Sequence, residues 1–174
     1  MRATRSTALL IAGSFLLSGG ALTAATVEAV VKSVTGSVEF AGPGSASFAP
    51  LLMGQQLPVG STVRTGDDGK AVIVTTPGSA IEVGNGSNLK ITALAFSKSG
   101  STVTEQKAHL ELTSGVVSAL IDHNTPKVTD FTIQTPQGAA AARGTFYAVY
   151  VIHGKTYIGV KQGKVGAAAY GDGT

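Results

Sequence analysis

Few residues in this chain are of the types that carry out chemistry, and their spacing is loose. The histidines are His109, His123 and His153. His109 stands in "AHLEL", and a metal site can be drawn from His109, Glu111 and either Asp122 or His123. No compact ligand motif joins them. An alternating strand would send His109 and Glu111 outward simply because Leu110 and Leu112 face in. "GDDG" at 66–69 places Asp67 and Asp68 together, but an Asp-rich turn is first of all a turn. "VGNGSN" contains a G-x-G with no helix start behind it, so it is no phosphate loop. There is no G-x-S-x-G elbow and no H-E-x-x-H. With no cysteine, disulfides, thiolate metal sites and a cysteine nucleophile are excluded. The chain therefore reads as non-enzymatic, with no cofactor expected. One charge sits in an unusual place: Arg143, alone in "TIQTPQGAAAARGTFYAVYVI" (132–152).

The elements that must position these groups begin after an export signal. Arg2 and Arg5 precede "TALLIAGSFLLSGGALTAA", a positive region, an apolar region and small residues in turn. Residues 1–25 are expected to be a signal peptide and residues 26–174 a single β domain, exported to the periplasm or cell surface. The alternative is an uncleaved anchor, for which Ser14, Ser18, Gly19, Gly20 and Thr23 make a weak span. Without Arg2 and Arg5, the 13 Lys and Arg against 10 Asp and Glu come close to balance. The lysines are scattered and not interleaved with aromatics, so no nucleic-acid groove is expected. No membrane span remains after cleavage, and the chain left is long enough to be held by its core alone.

Helical periodicity is nearly absent, and glycines punctuate short β-branched runs. "GSTV" (60–63), "GKAV" (69–72), "GSAI" (78–81) and "GSNL" (86–89) place glycines 9, 9 and 8 residues apart, and "GSTV" returns at 100–103. Glycine takes the turn, and the residues after it alternate toward a core. This predicts an all-β fold: a β-helical, solenoid-like stack or a two-layer β-sandwich of many short strands. The near-constant spacing favours stacking, with Val63, Val72, Ile81 and Leu89 in one core. "AGPGSASFAP" (41–50) and "DHNTPK" (122–127) read as loops. "KQGK" (161–164) reads as a tight turn joining two hairpin strands.

The stretch "TPQGAAAARGTFYAVYV" carries a family resemblance. Thr135 and Pro136, a run of small residues, then Arg143, Gly144, Thr145, Phe146 and Val149 resemble the signature of the periplasmic FecR domain. "LLMGQQLPVGSTVRTGDDGKAVI", "PGSAIEVGNGSNLKI", "LELTSGVVSALI" and "TYIGVKQGKVGA" resemble that family's other segments, in order, over residues of about 30 to about 168. The resemblance implies a non-enzymatic periplasmic β domain. Such domains occur in regulators that pass an outer-membrane iron–siderophore signal inward to a sigma factor. Six residues before the apolar run are too few to bind a sigma factor, so the stand-alone exported form of the family is the expectation.

On a continuous strand Arg143 shares a face with Thr145, Tyr147 and Val149, while Gly144, Phe146 and Ala148 take the other. The family triplet implies a structural duty. Arg143 would be buried and paired with Asp67, Asp122 or Asp130, Gly144 would let the chain bend, and Phe146 would fill the core. The alternative is that Arg143 binds an anionic ligand or partner group. The function expected is a binding module of the cell envelope with an envelope protein or small ligand as partner. A periplasmic ligand sensor and a structural matrix protein are the other readings.

Overall fold

The computed structural model describes residues 27–171. The leader expectation for residues 1–25 lies outside them. Fourteen strands follow in order: β1 (Ala29–Thr35), β2 (Val38–Ala41), β3 (Ala49–Pro50), β4 (Gln56–Leu57), β5 (Thr62–Thr65), β6 (Lys70–Thr76), β7 (Ser79–Val83), β8 (Asn88–Ser99), β9 (Thr102–Leu120), β10 (Thr129–Thr135), β11 (Gly138–Ala142), β12 (Phe146–Ile152), β13 (Lys155–Gln162) and β14 (Val165–Ala169). They join in one strongly curled, half-barrel sheet.

The curl is organised by β9, 19 residues long. Its first part pairs with β8 antiparallel and with β10 parallel. From Gly115 onward it pairs with β7 and β12 instead. One wing therefore runs β3-β2-β5-β8-β9-β10-β11-β14 and the other β4-β1-β6-β7-β9-β12-β13. At the change Gly115 has φ +85°, and a Cβ there would lie 2.3 Å from Ser87 Oγ and 2.4 Å from its Cα, so only glycine fits. Ser87 completes the bend. Its Oγ accepts the Val116 N–H at 2.9 Å and donates to the Val116 carbonyl at 3.1 Å.

Alternation along the strands sends one face of each wing into a shared core. Val63, Ile73, Ile81, Val83, Leu89, Ile91, Leu110, Leu112, Val117, Ile133 and Tyr147 are buried in one cluster. As the pattern "AHLEL" requires, Leu110 and Leu112 point in while His109 and Glu111 do not. Gln106 on β9 ties the wings together. Its Nε2 reaches Thr76 Oγ1 (2.9 Å), the Pro77 carbonyl (2.8 Å) and Ser79 Oγ (3.0 Å) at the β6–β7 turn. Its Oε1 accepts from Thr125 Oγ1.

The all-β expectation holds, but the strands form one continuous, strongly curled sheet and not a sandwich of two separate layers. The solenoid-like stack did not form. Stacked coils pair in parallel, whereas among the described residues only β9–β10 does so. The glycine spacing is that of antiparallel hairpins, whose successive turns fall at alternate ends. Gly69 and Gly78 accordingly flank β6 at its opposite ends. Val63, Ile81 and Leu89 are core residues, but Val72 is only half-buried and its neighbours Ala71 and Ile73 take the inward face. "KQGK" does turn, yet among the described residues β13 pairs only with β12 and β14 only with β11, so the chain passes from one wing to the other there and each strand has an edge that no described strand pairs. Tyr147 fills the core, not Phe146, whose ring is half-exposed under Lys161.

Ile81→Ala should cost about 2–4 kcal/mol in a denaturant melt through lost methyls and a cavity. Val72→Ala, on the outer face, should cost less than about 1 kcal/mol. The Tyr147 hydroxyl has no partner among the described residues, and burial pushes its pKa up from the ordinary 10.0. Above that pH the unfolded chain gains by ionising this phenol and the folded one does not, so this component of stability is lost as pH rises. Tyr147→Phe should therefore raise stability by about 1 kcal/mol at neutral pH. It should also lose less stability than the parent in melts repeated at about pH 11, above the phenol's ordinary range.

Candidate functional site

Thr135 and Pro136 close the β10–β11 hairpin. The buried Thr135 Oγ1 bonds the Gly138 carbonyl at 3.1 Å and Thr156 Oγ1 at 2.8 Å, linking the hairpin to β13 across the wings. Beyond β11 the chain must leave its wing for the other. Arg143, Gly144 and Thr145 make that crossing. Gly144 has φ +67°, and a Cβ on it would lie 2.7 Å from His123 Cα. Thr145 is buried and donates from Oγ1 to the Lys164 carbonyl at 3.1 Å, while its own carbonyl accepts the Ile121 N–H. Lys164 belongs to the return crossing between β13 and β14. The two crossings thus run side by side, stitched by Thr145.

Arg143 is exposed, with no salt bridge or side-chain hydrogen bond to Asp67, Asp122 or Asp130. The expectation of a buried, paired guanidinium is overturned. The left-handed residue at Gly144 is the cause. It shifts the alternation by one, so that Ala142 and Thr145 both face in and Arg143, which would have shared the face of Tyr147 on an unbroken strand, turns outward. Asp68 Oδ1 instead accepts the Ser37 N–H at the "GDDG" turn, and Asp122 Oδ1 caps Asn124.

Arg143 lines a groove of about 320 Å³ together with Asp130, Phe131, Ala141, Ala142, Lys164 and Gly166. Ala141 and Gly166 are paired across β11 and β14, so this part of the groove carries at most one methyl per residue. Lys164 was not foreseen. Its signal is present in the alanine and glycine residues of β11 and β14, small residues that share the groove lining with the two cations. His109 Nε2 meets Asp130 Oδ2 at 2.8 Å across the parallel β9–β10 pair. The metal set drawn from His109, Glu111, Asp122 and His123 is not gathered: among the described residues no three such ligands come together. His123 lies instead against the backbone of Gly144.

The motif residues of this curled all-β module build a crossing between its two wings. The family model described as FecR, FecR protein, matches residues 61–166, which take in β5 to the start of β14 and both crossings. The chain belongs to the FecR family, a generally non-catalytic family involved in sigma-factor and iron signalling. No curated protein and no solved structure matches it significantly.

Arg143→Ala should leave the thermal midpoint essentially unchanged, within about 0.5 kcal/mol. Gly144→Ala should cost more than about 2 kcal/mol, combining left-handed strain with contact against the His123 backbone. A destabilised Arg143→Ala beside a normal Gly144→Ala would reverse the assignment.

Proposed function

We propose that this chain is a non-catalytic, exported binding module of the cell envelope, and that it engages an envelope protein through the outer face of the β7-β9-β12-β13 wing. One observation carries this reading: a concentration of exposed apolar side chains on that face. Leu120 is 58% exposed and Tyr157 53%, with Tyr150 and the half-exposed Phe146 between them. The pairings Phe146↔Leu120 and Tyr150↔Tyr157 place these side chains in two rows on that face. Ser118, Ala148 and Gly159 lie between the rows and leave shallow depressions there. Exposed apolar patches of this kind mark interaction surfaces. The lysine Lys161 rests on the Phe146 ring 5.0 Å away, and among the described residues it has no carboxylate partner. A partner with an apolar centre and an acidic rim fits.

A photo-crosslinking residue placed at Tyr157 in living cells should give a discrete adduct in the envelope fraction, whereas one at Thr113 on the other wing should not. Leu120→Ser should abolish the Tyr157 adduct without lowering the melting midpoint by more than about 1 kcal/mol. Equal adducts from both positions, or none from either, would remove the reading. The family's sensor role is the second reading, and the groove beside Arg143 favours it.

A further inference from the structure

We propose that the groove between the two wing crossings is an anion-binding site in which Arg143 and Lys164 together take a carboxylate or phosphate group. This goes beyond the protein-binding reading and rests on a different face. Three observations meet here. First, both cations line one groove, and neither has a salt bridge among the described residues. Second, Asp130, the one acid in the lining among the described residues, is already engaged. Its Oδ2 meets His109 Nε2 at 2.8 Å and its Oδ1 accepts from Thr132 Oγ1 at 3.4 Å. Third, Ala141 and Gly166, paired directly opposite each other, line the groove with no more than a methyl group between the two crossings.

The backbone holds the cations in place. Gly144 fixes the turn that directs Arg143 outward, and the Thr145–Lys164 hydrogen bond draws the second crossing against the first. Asp130 shares the groove but is engaged by His109 and Thr132, so an entering anion would find both cations without a salt-bridge partner among the described residues. The guanidinium fork offers two parallel donors to a carboxylate or phosphate, and the lysine adds a point charge. A volume of about 320 Å³ admits a small ligand or a single anionic group of a larger one.

The test is calorimetric titration of the purified protein with inorganic phosphate and, separately, with citrate, at low ionic strength so that screening does not mask the contact. Saturable binding is expected. Arg143→Ala and Lys164→Ala should each weaken it about tenfold or more, equivalent to about 1.4 kcal/mol. Arg143→Lys should also weaken it, because the fork is lost. Lys90→Ala, an exposed lysine away from the groove, should bind like the parent. Saturation below about 1 mM that weakens in both groove variants supports the site, and the tighter of the two probes tells a phosphate ligand from a carboxylate one. Saturation only at tens of millimolar, where the titrant itself screens the contact, is nonspecific and overturns it. Absence of saturable binding to either probe, or equal weakening by Lys90→Ala, overturns it.

Discussion

The bend of β9 at Gly115 is the constraint on which the rest of the structure depends. A strand of this length kept straight would build one flat sheet with one buried face and no partner for it. The bend turns half of β9 across the other half, so a single strand supplies the middle of both wings. Ser87 makes it tolerable by meeting the N–H and the carbonyl of Val116, which an irregular strand would leave unpaired. Gly115 makes it possible, since the Ser87 backbone occupies the place of a side chain. Gln106 then fixes the angle from the other side by reaching the β6–β7 turn.

The two crossings are the second consequence of that bend. Once the wings face each other, strands β11 to β14 can cover the remaining core only if the chain passes between wings twice. Gly144 and Thr145 of the family motif serve the first passage, and Thr145 ties it to the second. The motif is thus divided in its duties. Its glycine and threonine hold the corner, while its arginine points away from the core to line the groove beside Lys164.

Much of the fold was legible in the residues. Alternation in "AHLEL" assigned its inner and outer faces correctly, "DHNTPK" is a loop and the recurring glycines mark real turns. The loop expected over 41–50 is shorter, since Ala41 ends β2 and Ala49–Pro50 pair with β2 as β3. Pairing was not legible, because a nine-residue spacing suits a hairpin series as well as a coil. Local pattern also missed phase. Val72 was taken one position out of step because β6 begins directly at Lys70, and Arg143 because one left-handed glycine reverses every face that follows it. The site was legible only in its first residue. Lys164 sits 21 positions from Arg143 in sequence, and only the paired crossings bring the two to one groove. Gln106 gave no signal at all, since a lone glutamine in an alternating strand looks like any half-exposed polar residue.

The edge of β13 that no described strand pairs has a consequence for behaviour in a crowded compartment. An unpaired strand edge is a template on which a second copy can add, and long edges of this kind lead to aggregation. β13 reads "KTYIGVKQ". If two copies met antiparallel about Ile158, Lys155 of each would stand directly opposite Lys161 of the other, and like charges in opposed positions repel. At the same edge the Thr156 N–H is already covered by Gln137 Oε1 at 2.7 Å. The strand that completes one wing therefore carries its own safeguard against growing into a fibre.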